Sequence, residues 1–284
     1  MATTTDGFLT SSDGTRLFFR RHVAAAPSAR ILVIHGFAEH SGRYLELLDA
    51  LADAGFDALA FDLRGHGRSE GRRAHLRRFE DYLDDTRAAF AALTAGSDGT
   101  ALVFGHSMGG LIATHFAASE PKRCRALALS GPMFARALAV NPLKLLAAHV
   151  LGRLLPIFSM PSGITGAHLT SDPAEIALHD ADPLVLRQAR AGWFIALESA
   201  MAAAPAAVAR LTMPLYLMHG EADPLTAFDA SRALFPSAPS VDKTFVPLPG
   251  MRHETLHEVG RETVRANLVA WLAAHAELSA RANA

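Results

Sequence analysis

The stretch Gly105-His106-Ser107-Met108-Gly109 constrains this chain more than any other part of it. An apolar run from Ala101 to Phe104 precedes it, and a helix-forming run from Leu111 to Ala118 follows. A serine between two glycines in this strand–turn–helix context is typical of a nucleophile elbow, a tight turn that holds a reactive hydroxyl outward. Glycines let the strand and the helix approach closely, because they have no Cβ atom. A third glycine, Gly110, argues further against a chance match, and we expect Ser107 to be a nucleophile.

Length and composition limit what can surround this motif. Half of the 284 residues are hydrophobic, 19% are charged and the formal net charge is −1, which fits one large domain and gives no electrostatic reason to expect nucleic acid as a partner. The single cysteine, Cys124, excludes an internal disulfide and fits a reducing cytoplasm; we expect it to be a bystander rather than a reactive thiol. The first six residues do not resemble a secretory signal, and no uninterrupted apolar run is long enough to span a bilayer. We therefore expect a cytoplasmic protein, at most peripheral to a membrane.

Short apolar runs alternate with amphipathic runs along most of the chain. The apolar runs predict strands at Ala29–Ile34, Asp57–Phe61, Ala126–Ser130, Leu215–His219 and Lys243–Leu248, after a hairpin formed by Gly7–Thr10 and Thr15–His22. The amphipathic runs predict helices at Tyr44–Ala54, Phe79–Ala95 and Glu258–His275. Such alternation implies right-handed βαβ crossovers and a mostly parallel sheet with its chemistry at the carboxyl ends of the strands.

One region breaks the alternation. Between Gly131 and about Arg210 no strand is evident, and several prolines predict short helices. Because the region directly follows the strand after the elbow, we expect it to form a cap over the active site. This divides the chain into an α/β core of residues 1–130 and 211–284 and a helical cap of residues 131–210. Within the cap, the segment from Pro142 to Ile157 is apolar nearly all round. This pattern fits two alternatives equally well, a helix buried against the substrate and a lid that faces lipid.

A serine hydroxyl is a poor nucleophile unless a base accepts its proton and a carboxylate orients that base. The loop after strand Leu215–His219 carries Asp223 at its rim, and we expect this residue to be the acid. His253 closely follows the last strand, Lys243–Leu248, and we expect it to be the base. The competitors are Glu221, Asp229 and Asp242 for the acid and His257 for the base.

The negative oxygen that forms when a serine attacks a carbonyl carbon needs two backbone N–H donors close to the nucleophile. Met108, directly after Ser107, supplies one by its position. We expect the N–H of Phe37, in the loop after strand Ala29–Ile34, to supply the other. No His, Cys or Asp cluster has the spacing of a metal site and no glycine-rich phosphate loop is present, so we expect neither a metal nor a cofactor.

Four motifs together resemble the monoacylglycerol lipase branch of the α/β-hydrolase superfamily. They are His35-Gly36-x-x-Glu39-His40-Ser41-Gly42-Arg43-Tyr44, Asp62-x-Arg64-Gly65-His66-Gly67-x-Ser69-x-Gly71, Gly105-His106-Ser107-Met108-Gly109-Gly110 and Gly250-x-x-His253-Glu254. The resemblance implies a mostly parallel central sheet flanked by helices, with a helical cap inserted after the strand that follows the elbow. It also implies a serine hydrolase that cleaves monoacylglycerol to fatty acid and glycerol through an acyl-enzyme. A general carboxylesterase or a lysophospholipase is the alternative; a carbon–carbon bond hydrolase and a non-catalytic binding protein fit less well.

In that branch, the residues that match Glu39 and Arg43 line the polar end of the pocket, where the glycerol head group lies. A salt-bridged loop is the alternative role for both residues. The chain departs from the usual pattern at Ala38, where a glycine is common, and at Leu256, where some members have a histidine. The implied partner is a small lipid ester, with contact to lipid aggregates through the cap, whereas the oligomeric state stays open.

Overall fold

The computed structural model describes residues 2–137, 150 and 152–282, and its architecture rests on one large sheet. Its strands, in chain order, are β1 (Thr3–Thr10), β2 (Arg16–Val23), β3 (Ala29–Ile34), β4 (Phe56–Phe61), β5 (Ala101–His106), β6 (Cys124–Ser130), β7 (Ser159–Pro161), β8 (Gln188–Arg190), β9 (Leu215–Gly220) and β10 (Lys243–Leu248). Eight of them form the sheet in the order β1-β2-β4-β3-β5-β6-β9-β10. Only β1 and β2 run antiparallel to their neighbours, so the carboxyl ends of the other six strands lie at one edge. The predicted α/β-hydrolase fold is confirmed.

In chain order, the described helices are α1 (Leu45–Asp53), α2 (Glu80–Thr94), α3 (Met108–Ser119), α4 (Gly166–Leu169), α5 (Pro173–Ala181), α6 (Ala191–Val208), α7 (Phe228–Leu234) and α8 (Arg261–Ala282). Helices α1 and α8 cover one face of this sheet, and α2 and α3 cover the other; α4 and α5 lie in the region between β6 and β9. Successive residues of β3 alternate between the two cores, with Ile31 and Val33 in the cluster that contains α1 and α8, and Leu32 and Ile34 in the cluster that contains α2 and α3. A strand buried on both faces has no polar alternation, which explains the continuous apolar runs in the sequence.

The last helix begins later than the sequence predicts. It was expected from Glu258 but begins at Arg261, because Gly260 has a left-handed backbone (φ 84°) that a helix does not accommodate. The Glu258 carboxylate instead accepts hydrogen bonds from the hydroxyl and the N–H of Ser171, at 2.6 and 3.0 Å. It therefore fastens the inserted region between β6 and β9 to the core.

Two expectations for this inserted region are wrong. It contains a pair of antiparallel strands, β7 and β8, each too short to produce a periodic pattern. It also contains the long helix α6, which continues through Pro205 to Val208 instead of ending at the proline. The boundaries of the cap stay a prediction. Most of the apolar piece Pro142 to Ile157 lies outside the described residues.

Among the described helices, α6 alone is long and apolar enough to span a membrane by length and composition. Half of it is buried inside the fold, and Trp193, Leu197 and Ala204 belong to the same apolar cluster as the helix that follows the elbow, α3. This burial is that of a core helix of a globular domain.

Candidate active site

Ser107 lies in the turn between β5 and α3, with a strained backbone (φ 53°, ψ −119°). Its N–H donates to the carbonyl of Ser130 (2.9 Å) and its carbonyl accepts from the N–H of Met133 (3.0 Å), which anchors the turn on both sides. A Cβ atom on Gly109 would lie 2.2 Å from the carbonyl oxygen of Ile34. Only glycine at that position lets the helix come so close, and the predicted elbow geometry is therefore present.

Asp223 and His253 form a hydrogen-bonded pair at the same edge of the sheet. The His253 Nδ1–H donates to Asp223 Oδ2 at 2.6 Å. The other carboxylate oxygen accepts from the N–H groups of Leu225 (2.8 Å) and Thr226 (3.0 Å), and the Thr226 hydroxyl donates to Oδ2 at 2.7 Å. The carboxylate is thus held in one orientation, and Nε2 is the nitrogen of His253 that is left for a proton acceptor role.

The charges of this pair shift both pKa values. Burial would raise the pKa of Asp223, but the facing His253 and the surrounding hydrogen bonds hold it well below its usual range. Burial likewise opposes a charged His253, yet the charge of Asp223 and the hydrogen bond to it outweigh this and raise the pKa of His253. Asp223 is therefore ionised, and it favours the protonated form of the histidine.

The competing residues have other partners. His257 donates from Nε2 to the carbonyl of Arg43 (2.8 Å) and does not line the cavity that Ser107 and His253 share. Asp242 lies 2.9 Å from His275, the exposed Asp229 pairs with an arginine of its own helix, and Glu221 is exposed. Asp223 and His253 are the candidates that the structure brings together.

Sequence reasoning missed two residues beside this pair. His219, at the end of β9, places its Nε2 at 3.2 Å from Asp223 Oδ2 and its Nδ1 at 2.9 Å from the hydroxyl of Ser231. Thr226 caps the Asp223 turn with both its N–H and its hydroxyl. The spacing Asp223-x-x-Thr226 was a usable signal, since aspartate side chains often accept hydrogen bonds from N–H groups two and three residues on. His219 had no such signal.

Ser107 and His253 line a cavity of about 350 Å³. Most of its wall is apolar, including Met133, Met160, Ile164, Leu169, Trp193, Phe194 and Leu225. Its polar lining includes Glu39, Glu254 and His106, and burial lowers the pKa of His106 to about 3. The cavity therefore suits a ligand that is mainly apolar and carries a few polar groups.

Phe37 lines the same cavity as Ser107, and Met108 directly follows Ser107 in the chain. Neither backbone N–H donates to another described residue. His35 fixes the start of the Phe37 loop: its Nδ1–H donates to the carbonyl of Gly36 (2.7 Å), and its Nε2 accepts from the N–H of Leu63 (2.9 Å). Burial lowers the pKa of His35 to about 3, so the ring stays neutral in this arrangement. Both predicted oxyanion donors are thus free to bind a ligand.

Glu39 is buried and lines the cavity. Its Oε1 accepts hydrogen bonds from the N–H of Gly36 and the hydroxyl of Tyr44 (2.9 Å), whereas its Oε2 has no partner among the described residues. Burial and the nearby carboxylate of Glu254 raise the pKa of Glu39 to about 8, although Arg43 opposes the shift. A protonated carboxyl can donate as well as accept a hydrogen bond.

Arg43 does not line this cavity. Its guanidinium donates to Glu254 at 2.5 Å and lies 3.5 Å from Glu175 of α5, so the salt-bridged alternative describes its position. Burial would raise the pKa of Glu254, but Arg43 and His257 outweigh it and lower that pKa to about 2. Arg43 therefore holds an ionised Glu254 on the cavity wall.

Outside this site, Cys124 is buried, and burial raises the pKa of its thiol to about 12. A thiol that stays protonated is a poor nucleophile, as expected of a bystander. In the part of the chain that the structure describes, no group of three or more His, Cys, Asp or Glu side chains is arranged to hold a metal ion.

Comparison with known proteins identifies the family. A family model described as serine aminopeptidase, S33, matches residues 25–260. The chain is 34% identical over 252 residues to the monoacylglycerol lipase of Mycolicibacterium smegmatis, covering 88% of this chain and 89% of that protein. It is also 34% identical to the monoglyceride lipase of Mus musculus over 259 residues, or 90% and 85% of the two chains. This chain belongs to the monoacylglycerol lipase family.

Solved structures place the fold in the same family. The crystal structure of Paleococcus ferrophilus monoacylglycerol lipase superposes with a TM-score of 0.84 at 29% identity, covering 91% of this chain and 99% of that one. A soluble variant of the Saccharomyces cerevisiae monoglyceride lipase, solved with a substrate analogue, has the same TM-score at 23% identity and shares the fold. The superposition covers 95% of this chain and 94% of the yeast chain. The family membership predicted from the four motifs is confirmed.

With His253 in its predicted role as the base, its raised pKa predicts how activity depends on pH. A base must be neutral to accept a proton, so kcat/KM should fall as the pH drops through a value above the ordinary histidine pKa of about 6.5. Asp223→Asn removes the charge that raises this pKa, so the acid limb of the profile of kcat/KM against pH should move to lower pH. The rate itself should fall by about 10⁴-fold. His257→Ala should leave the limb in place. A limb that moves with His257→Ala and not with Asp223→Asn contradicts the assignment.

Proposed function

We propose that this chain hydrolyses monoacylglycerol to fatty acid and glycerol, through an acyl-enzyme formed on Ser107. The observation that carries the proposal is the Asp223–His253 hydrogen bond of 2.6 Å beside the cavity that Ser107 lines. Family membership supports ester hydrolysis, and the apolar wall of the cavity supports an acyl chain as the larger part of the substrate.

The proposed reaction begins when Ser107 Oγ attacks the ester carbonyl carbon and its proton passes to Nε2 of His253. Asp223 stabilises the imidazolium, and the N–H groups of Phe37 and Met108 donate to the negative oxygen, each contributing about 10²- to 10³-fold in rate. When the C–O bond breaks, His253 gives its proton to the departing glycerol oxygen. Water then attacks the acyl-enzyme by the same route and releases the fatty acid.

The glycerol hydroxyls are proposed to bind at Glu39. Its Oε2 is buried without a partner, and leaving such an atom unsatisfied is costly unless a substrate group pairs with it. Arg43 is proposed to act on the head group indirectly, by holding Glu254 on the cavity wall. A general carboxylesterase would have no need of this polar end.

Residues 131–210 are proposed to act as the cap, and its outer surface is proposed to touch lipid aggregates. Leu154 is 73% exposed and Ile157 51%, and three further large apolar side chains nearby are about half exposed: Val150, Leu155 and Phe158. A cluster of exposed apolar side chains on one short segment favours partition into a lipid surface. The protein would then be cytoplasmic and bind membranes peripherally.

The nucleophile is tested by replacing it. Ser107→Ala should lower the turnover of monoacylglycerol by several orders of magnitude without unfolding the protein, because it removes only the reacting atom. A fluorophosphonate probe should label the wild type and fail to label the variant. Retained turnover, or labelling of another residue, would overturn the proposal.

The head-group site is tested by comparing two esters of one fatty acid. Glu39→Ala should lower kcat/KM for the monoacylglycerol by about 0.5–1.5 kcal/mol more than for the methyl ester, the range for a hydrogen bond between neutral groups. Tyr44→Phe is the matched control, since it removes only the bond that props Glu39 and should affect both esters equally. Equal losses on both esters with Glu39→Ala would show that Glu39 only supports the loop and would favour a general carboxylesterase.

Lipid contact is tested on Leu154 and Ile157. Replacing both by serine should abolish the rise in activity as a long-chain monoacylglycerol passes from monomer to micelle, and should spare a soluble short-chain ester. Val241→Ser is the control, because Val241 is fully exposed on the loop before β10, at the amino end of the parallel strands. If the double variant keeps the rise, or the control loses it, this segment is not the lipid contact.

A further inference from the structure

Two alanines have a backbone that alanine rarely adopts. Ala38 (φ 67°) follows Phe37 in the loop after β3, and Ala74 (φ 51°) lies in the loop after β4. Their Cβ atoms make the left-handed conformation unfavourable, and it persists only where the surroundings hold it in place. Both residues are almost completely buried, so something packed on them must provide that support.

The support comes from one segment of the inserted region, residues 182–190, which we term the strap. The N–H of Leu186 donates to the carbonyl of Ala38, and the N–H of Arg190 donates to the carbonyl of Ala74, both at 3.2 Å. Side chains of the strap add apolar contact, because Val185 and Leu186 are buried in one small cluster with these two alanines. The strap therefore holds both strained positions.

A partly buried polar contact fixes the start of the strap. His40 Nδ1 accepts from the N–H of Gly42 at 3.1 Å, so the ring proton lies on Nε2, which donates to Asp182 Oδ2 at 2.8 Å. The other oxygen of Asp182 accepts from the N–H of Leu184 at 2.8 Å. Asp182 thus joins the strap to the turn that follows the Phe37 loop.

We propose that the strap holds the Phe37 loop in the shape that aims its N–H at the reacting oxygen, and that Asp182 is a positioning residue for this donor. The inference rests on the oxyanion role proposed above for Phe37. Phe37 itself packs against the cluster of Val185 and Leu186, so a shift of the strap would move the residue that carries the donor. The inserted region would then determine the rate of the chemical step as well as access to the site.

Asp182→Ala tests the proposal through transition-state stabilisation. Without its anchor the strap should loosen, and Ala38 should relax out of the left-handed region. We expect kcat to fall by about 5- to 30-fold, the population factor that corresponds to the left-handed penalty of an alanine. KM should change less than twofold. A trifluoromethyl ketone, which adds reversibly to the serine and forms a tetrahedral oxyanion, should lose affinity by the same factor as kcat.

Asp172→Ala is the matched control, because Asp172 also joins the inserted region to the core, through Arg261 at 2.8 Å, but its contacts lie outside the strap. It should change neither kcat nor the affinity for the ketone. Thermal unfolding of each variant, measured by calorimetry, checks that the protein remains folded at the assay temperature.

A second variant separates loop shape from general damage. Glycine adopts positive φ as readily as negative φ, so Ala38→Gly removes the tendency of the loop to relax when the strap is loosened. Ala38→Gly in the Asp182→Ala background should therefore recover a large part of the lost kcat, whereas nonspecific damage would not be repaired by adding a glycine. The Ala38→Gly single variant completes the double-mutant cycle.

Three results would overturn the proposal: an unchanged kcat in Asp182→Ala, a loss confined to KM with unchanged affinity for the ketone, or no recovery in the double variant. Failure of the proposed function has a different signature, because Ser107→Ala would then keep its turnover. If Ser107→Ala is inactive and Asp182→Ala behaves as wild type, the hydrolase assignment stands and only the role of the strap is wrong.

Discussion

The close approach of α3 to the end of β3 is the contact on which the site depends. Gly109, in the first turn of α3, lies against the carbonyl oxygens of Ile34 and His35, where any Cβ atom would collide. On the α3 side of this contact lie Ser107 and the N–H of Met108. On the β3 side, the loop that carries Phe37 begins. Because both candidate oxyanion donors and the nucleophile share this junction, a small shift there would disturb all three. Glycine at this point is a structural requirement of the chemistry.

The buried charges around the cavity follow one rule, which is that a carboxylate stays ionised only where donors surround it. Asp223 receives several hydrogen bonds and Glu254 is paired with Arg43, so both keep low pKa values. Glu39 receives two hydrogen bonds on one oxygen and none on the other, and burial outweighs them to favour the protonated form. The polar end of the cavity thus combines an ionised Glu254 with a neutral Glu39, and it can both accept hydrogen bonds from substrate hydroxyls and donate to them.

Most of the core could be predicted because its strands and helices leave local patterns in the sequence. Most contacts between distant segments leave no such pattern and could not be predicted. Strands β3 and β10 have their predicted bounds because an apolar run flanked by turn residues is a local signal. The strands β7 and β8 escaped prediction, since three-residue strands carry no period. The elbow and the Asp223–His253 pair were predictable from their order along the chain. The position of Arg43 was not, because its partners Glu175 and Glu254 lie 132 and 211 residues away, and neither was the strap that supports Ala38.

A crystal structure of the enzyme inactivated by a long-chain alkyl phosphonate would test the central claim most directly, since the phosphonate mimics the tetrahedral intermediate. The account predicts a covalent bond between phosphorus and Ser107 Oγ. The phosphonyl oxygen should lie about 2.7–3.1 Å from both the Phe37 and the Met108 nitrogen, and the alkyl chain should follow the apolar wall of the cavity. A phosphonate attached to another residue, or a phosphonyl oxygen that contacts neither nitrogen, would contradict it.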